Sequence, residues 1–345
     1  MSSLAFAVLP MQQSVHSLKP SGACPFHVDA VQYFPEHPSP NGLTLIFLHA
    51  MNTHKEQYEP VLRHLLRQQQ GLHIRDAWCI ENPNHGSSAL KNRALLDSPE
   101  YRDKWTAMDY CRAVHAFLTS TSHGVDFRAR FLVGLAHSAA SAPLLLLQRE
   151  YPLVEFQGLV FMDGAILPIG TRPTKVLCKL FGNWAKSKPN TWSSRAAAHK
   201  ELSKTAFRRW DPAAVESFVK HAIRPVDNST DVTLNCSTRQ ESIYYLSPTA
   251  DLVDVPTEIF LQLTKDDTLS IHAIICLNDE YKGMGTEMKQ FQIDHVKRMR
   301  RGSVQIIEGG HMFPQTEPLQ CGGAIAQALE RIQRREREAM VLSRL

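Results

Sequence analysis

Apolar residues recur along this chain with two different periods. Leu43 to Leu48 is a nearly unbroken apolar run that ends at His49. Such a run fits a central parallel strand covered on both faces. Phe26 to Phe34 alternates apolar and polar residues and reads as an edge strand, followed by a turn at Pro38, Pro40, Asn41 and Gly42. Tyr58, Val61, Leu62, Leu65 and Leu66 then recur at helical spacing. A strand over Ile74 to Ile80 runs out into Asn82-Pro83-Asn84-His85-Gly86, and a polar loop follows from Ser87 to Lys104. Trp105, Met108, Cys111, Val114 and Leu118 mark a second amphipathic helix. Phe131 to Leu135 and Phe156 to Met162 predict two more buried strands. Further strands are expected at Ile259 to Leu263 and Val304 to Ile307, before a terminal helix carrying Ile325, Leu329, Ile332 and Met340.

Strands alternating with helices predict an α/β class, with a mostly parallel, doubly wound sheet. The stretch 165–250 interrupts the alternation. It is rich in Lys, Arg, Ser, Trp and Pro and holds no long central-strand pattern. The chain therefore divides into a first core part (1–164), an inserted helical cap (165–250) and a second core part (251–345). In such sheets ligands bind beyond the carboxyl ends of the strands. His49, Asn84, Ser138, Asp163, Asp266, Asp267 and His311 all fall just after predicted strands, which puts their polar groups on one rim.

Ala136-His137-Ser138-Ala139-Ala140 joins a strand to a helix with small residues two positions on either side of the serine. This is the nucleophile-elbow arrangement: a tight turn lifts the serine oxygen clear of the sheet, and strand and helix nearly touch beside it. Alanine takes the two flanking positions where glycine is usual. A serine that only caps a helix is the alternative. The Ala139 N–H is one natural oxyanion donor, and the Met51 N–H, in His49-Ala50-Met51, is the second. His49 and Ala50, His137, and Asn84 with His85 are expected to line the site, with His49 bracing its loop.

His311 follows Glu308-Gly309-Gly310 after the last strand and is the candidate general base among sixteen histidines. His137 and His272 are weaker competitors. The acid has two placements. Asp163 ends the run LVFMDG, whereas Asp266 and Asp267 follow the strand expected after the cap. Either carboxylate could hold the histidine tautomer and stabilise the imidazolium.

Composition narrows the function classes. Net charge is +4, hydrophobic residues make up 43% and charged residues 21%. No basic segment is interleaved with aromatics, so nucleic-acid binding is not expected. Seven cysteines stand at wide spacing with no CxxC pair, which predicts neither a metal site nor a disulfide framework and fits a reducing compartment. No cofactor is expected. The N-terminal apolar run is broken by Pro10 and is too short to span a membrane. Ser343-Arg344-Leu345 is a relative of the peroxisomal address, which would engage an import receptor; the cytoplasm is the alternative. The terminal helix could pack on its own sheet or against a second copy as a homodimer. In the cap, Trp184, Trp192, Phe207, Trp210 and Phe218 offer apolar surface, and Lys179, Lys186, Lys188, Arg208 and Arg209 offer positive charge. That mixture suits a greasy acyl chain with an anionic head group. Aromatics at such spacing also commonly form a core.

The segments HAMNTHKEQY, ENPNHGSS, GLAHSAAS, VFMDG and EGGHMFPQTEP resemble the successive motifs of the α/β-hydrolase superfamily. More narrowly, the chain resembles the fungal, peroxisomally targeted hydrolases of secondary metabolism, the group of the mycophenolic acid pathway acyl-CoA hydrolase and the AK-toxin biosynthesis hydrolases. The resemblance implies an α/β-hydrolase fold and an acid directly after the strand that follows the nucleophile, which falls on Asp163. It also implies a small-molecule acyl-CoA thioester or related ester as substrate, cleaved through an acyl-enzyme. A lactonase, carboxylesterase or cyclase would use the same residues on another metabolite, and a non-catalytic binding protein would use none of their chemistry.

Overall fold

The computed structural model describes residues 11–67, 71–246, 250–266, 269–276 and 284–342, with only the backbone described at 250, 284 and 336–342. Asp267 and Ser343-Arg344-Leu345 lie outside the described residues, as does the side chain of Met340.

The strands are β1 (Gln13–Leu18), β2 (Val28–Tyr33), β3 (Leu43–Leu48), β4 (Ile74–Ile80), β5 (Phe131–His137), β6 (Phe156–Met162), β7 (Thr191–Trp192), β8 (Ile223–Pro225), β9 (Val232–Leu234), β10 (Ser270–Cys276) and β11 (Gly302–Ile307). The helices are α1 (Glu59–Arg67), α2 (Gly86–Leu96), α3 (Ala107–Thr119), α4 (Ser141–Leu146), α5 (Arg172–Ser187), α6 (Arg195–Leu202), α7 (Pro212–His221), α8 (Thr238–Leu246), α9 (Val255–Leu263), α10 (Met284–Lys297), α11 (Phe313–Thr316) and α12 (Pro318–Leu342). Eight strands form the main sheet in the order β1-β2-β4-β3-β5-β6-β10-β11. β2 pairs antiparallel with both β1 and β4, and all the other neighbours pair parallel.

Two apolar cores cover the two faces of this sheet. One unites α3, α4, α9 and α10 through residues such as Phe117, Leu144, Phe260 and Val296; the other unites α1 and α12 through Leu62, Leu65, Ile325 and Leu329. Every residue of β3 is buried, because alternate side chains enter opposite cores. Each such aliphatic side chain contributes about 1.5–3 kcal/mol by leaving water.

Several expectations are corrected. The strand over 26–34 is not the edge, because β1 pairs outside β2 and buries it. The polar stretch after Gly86 is helix α2, whose buried residues include Ser88, Ala89 and Asn92 and form no apolar stripe. The strand expected at Ile259 to Leu263 is helix α9, begun by Pro256 in its first turn, and the sheet resumes only at β10. Asp266 is therefore exposed on the segment leading into β10, at the end of the sheet opposite Asp163. His272 lies within β10 with Nδ1 2.6 Å from Ser303 Oγ, away from the rim.

Between β6 and α9 the chain forms helices α5 to α8 and, beyond the expected helices, a small antiparallel sheet in the order β7-β9-β8. Trp192, Phe207, Trp210 and Phe218 make a separate core here, with Phe207 and Trp210 stacked at 3.7 Å. Four of the five aromatics thus hold this unit together, and Trp184 alone of the five stays outside its core, 48% exposed.

Gly86, at the start of α2, has φ +48°, and a Cβ there would meet Glu81 Oε2 at 2.0 Å. That oxygen accepts from the buried Lys55 ammonium at 2.7 Å. Gly86→Ala therefore imposes backbone strain and breaks into a buried ion pair. It is expected to cost about 2–4 kcal/mol, read as a lower urea midpoint at unchanged slope.

Candidate active site

The β5–α4 turn places Ser138 at φ +56°, in the left-handed region. Asn52 (φ +66°) and Asp163 (φ +42°) share that conformation. Among the described residues these are three of the four non-glycine residues so strained, and all three belong to one cavity. Strain of this kind costs about 1–3 kcal/mol each and persists only where the surroundings enforce it. Here a bond from the Ala165 N–H to the Ser138 carbonyl (3.0 Å) ties the elbow to the chain after β6. Ala136 and Ala140, fully buried, leave strand and helix in contact.

Three side chains meet above the strand ends. His311 Nε2 is 2.7 Å from Ser138 Oγ, and His311 Nδ1 is 2.6 Å from Asp163 Oδ2. With the Nδ1 proton shared toward the carboxylate, Nε2 is the acceptor for the serine O–H. The Asp163 N–H donates to the Ile274 carbonyl at 2.8 Å, which fixes the residue at the end of β6. Burial pushes the Asp163 carboxyl up, but the His311 hydrogen bond, the charges of His311 and Lys289, and the Cys276 contact outweigh it. Its net pKa lies below the ordinary carboxylate value.

Lys289 was not singled out in the sequence. It stands on α10 with Nζ 3.5 Å from Asp163 Oδ2 and 2.6 Å from the Cys276 carbonyl, and it lines the cavity. Cys276 Sγ sits 3.3 Å from Asp163 Oδ2. Burial first, and then Asp163, push this thiol up to about 12, so it stays protonated and can donate.

The expected lining residues divide into those at the cavity and those behind it. Ala50, Met51 and Ala139 line it beside Ser138. His49 is buried behind them: its Nδ1 is 3.0 Å from the Ala50 carbonyl, and its Nε2 accepts from the Asn82 N–H at 3.0 Å. The Asn84 amide oxygen accepts from His85 Nδ1 at 2.6 Å, and His85 Nε2 accepts from the Asn52 N–H at 3.3 Å. Burial first, then the nearby His49, Lys188 and His54, hold His85 well below its ordinary pKa and keep it neutral. His137 points away from Ser138 and donates from Nε2 to the His311 carbonyl at 2.9 Å. Burial, then His311, push His137 down to about 3.

The cavity holds about 470 Å³. Leu177, Phe181 and Trp184 from α5, Tyr245 from α8, and Leu252 and Met288 give it a mainly apolar wall. Of the five cap cations named from the sequence, Lys179, Lys186, Arg208 and Arg209 are exposed, and Lys188 is half-buried with its side chain 8% exposed. Among the described residues no cluster of His, Cys, Asp and Glu could hold a metal ion, and no helix is long and apolar enough to cross a membrane.

The buried histidines set an acid dependence. The buried His137 and His272 are held down to about 3 and the half-buried His221 to about 4, each first by loss of solvent. Unfolding frees them to bind protons near pH 6.5, so the unfolded chain takes up more protons as pH falls below that value. Each adds up to about 1.4 kcal/mol of lost stability per pH unit. The lowered carboxyls of Asp163, Glu56 and Glu81 act in the same direction below about pH 4. Urea midpoints are expected to fall steadily from pH 7 to pH 5, with a shallower fall in His272→Gln.

The parallel sheet, the strained turn after β5 and the inserted cap define the α/β-hydrolase fold, and this chain has it. Among solved structures it is similar to the peroxisomal α/β-hydrolase Lpx1 of Saccharomyces cerevisiae, at TM-score 0.67 and 14% identity, over 93% of this chain and 88% of that one. It is also similar to E-2-(acetamidomethylene)succinate hydrolase, at TM-score 0.65 and 12% identity, over 92% of this chain and all of that one. Among curated proteins it resembles the type I acyl-CoA thioesterase mpaH of Penicillium roqueforti (strain FM164), 27% identical over 202 residues. That match takes in 56% of this chain and spans less than half, 43%, of the relative's length. No family model matches the chain.

Proposed function

We propose that this protein is a serine hydrolase that cleaves an acyl-CoA thioester or a related ester of a secondary metabolite. The observation that carries the reading is the unbroken line Ser138–His311–Asp163 at the mouth of a mainly apolar cavity. The similarity to an acyl-CoA thioesterase supports the thioester. His311 takes the Ser138 proton as the oxygen attacks the acyl carbon, and Asp163 stabilises the imidazolium. The N–H groups of Met51 and Ala139 receive the developing oxyanion. Collapse breaks the carbon–sulfur bond and releases the thiolate, which takes the proton held by His311 and leaves the imidazole neutral. Water, deprotonated by His311, then attacks the acyl-enzyme and frees the acid and Ser138. The apolar wall from α5 and Met288 accommodates an acyl group, and the polar head stays toward solvent. The same residues would serve a lactonase, carboxylesterase or cyclase, as the breadth of reactions named among the structural neighbours illustrates.

Coenzyme A release from a panel of acyl-CoAs, followed with a thiol reagent, tests this. Release by the wild type, lost in Ser138→Ala, is the expected result. Labelling of Ser138 by an organofluorophosphonate without any thiol release would keep the serine hydrolase and remove the thioester. We place the enzyme in the peroxisome, supported by the peroxisomal yeast neighbour; imaging of the fluorescently tagged protein checks it.

A further inference from the structure

Lys188 sits just past the end of α5, in the cap, yet its ammonium is buried against the core. It donates to the side-chain oxygen of Asn52 and to Glu241 Oε2 on α8. The ring of Trp184, on the cavity wall, lies 5.2 Å from the same ammonium. Glu241 is fully buried, and among the described residues its other carboxylate oxygen meets no hydrogen-bond donor. Lys188 is thus its counter-charge.

Asn52 is the residue directly after Met51. Its φ of +66° turns the chain so that the Met51 peptide borders the cavity beside Ser138. Two groups hold that turn from opposite sides. On the core side the Asn52 N–H donates to the neutral His85, itself fixed by Asn84. On the cap side the Asn52 side chain accepts from Lys188. Asparagine tolerates left-handed backbone better than most residues. The core also holds the loop through Thr53, whose N–H and hydroxyl donate to the Ala50 carbonyl at 3.2 and 2.7 Å, and Lys188 is the contact that the cap adds.

We propose that Lys188 is a positioning residue: through Asn52 it sets the Met51 N–H in the geometry that receives an oxyanion, so that a docked cap completes the site. This rests on the serine-hydrolase reading above. A donor displaced by about 1 Å costs on the order of a hundredfold in rate, and loss of one oxyanion donor costs about 10²–10³.

The test measures the second-order rate at which a small fluorophosphonate phosphonylates Ser138, because its phosphoryl oxygen occupies the same donors and the assay needs no natural substrate. Three proteins are compared with the wild type. Lys188→Met removes the cation. Lys188→Met with Glu241→Gln removes the stranded charge as well. Asn52→Gly keeps the Lys188–Glu241 pair and the left-handed turn but removes the acceptor. All three are expected to label about 10- to 100-fold more slowly, while the double variant regains the thermal midpoint lost in Lys188→Met. A double variant that labels at the wild-type rate would mean that Lys188 only neutralises Glu241, and that overturns the proposal. So does wild-type labelling of Asn52→Gly. A wild-type protein that takes no label at all removes the serine-hydrolase reading and this inference together, a result distinct from the other two.

Discussion

Ser138→Ala is expected to lower kcat by about 10⁴- to 10⁶-fold, with KM changed little. The serine oxygen lies 2.7 Å from His311 Nε2, and on the proposed mechanism it is the group that forms the acyl-enzyme. Without it the donors of Met51 and Ala139 still face the cavity and sustain a residual rate. The fold should not suffer. Serine and alanine both resist φ +56°, so the exchange adds no new strain. Ser138→Gly separates the two roles of this residue. It removes the nucleophile and relieves the left-handed backbone, so it should be as inactive as alanine and at least as stable as the wild type. Thermal melts beside single-turnover assays decide this. Activity surviving in both variants would move the nucleophile elsewhere.

The part of this site that sequence reading reached depends on local rules. Ser138 is marked by its small neighbours and its place between strand and helix. Asp163 and His311 are marked by positions just beyond β6 and β11, and the structure brings both within hydrogen-bond distance of one chain of atoms. The strands β3 and β6 were legible because both faces of each are covered, so their apolar runs are nearly unbroken, and β4 shows the same over Ala77 to Ile80. What failed was where periodicity carries no information. Helix α2 buries small and polar side chains, Asn92 among them, against β2, and leaves no apolar stripe. Helix α9 offers only the short run Ile259-Phe260-Leu261 before Gln262, too short to tell strand from helix. That error placed Asp266 at the wrong rim. Lys188, Lys289 and Asn52 carry no local signal. Each matters through a partner at least 126 residues away or through a backbone angle, and both arise only when the cap docks and the sheet closes.

Asp163→Asn is expected to cost about 10³–10⁴ in kcat, with the cavity intact. The carboxylate does two things that an amide cannot. It accepts the Nδ1 proton of His311 at 2.6 Å, which fixes the tautomer presenting Nε2 to Ser138, and it offsets the positive charge that grows on the ring. An amide can turn its NH₂ toward Nδ1 and select the wrong tautomer. Lys289 makes the electrostatic part separable. Its ammonium, 3.5 Å from Asp163, is one of the groups that hold the carboxyl low against the upward push of burial. Lys289→Met removes that cation from beside the hydrogen-bonded Asp163–His311 pair, so the pair takes up its disabling proton at a higher pH. The acid limb of the pH–rate profile should therefore move up, with the plateau near pH 8 preserved within about tenfold. Lys289→Arg should restore the wild-type limb, because it keeps the cation. If instead Lys289→Met lowers the plateau and leaves the limb in place, the lysine acts on substrate and not on the acid. An Asp163→Asn protein that stays within tenfold of the wild type would place the acid elsewhere.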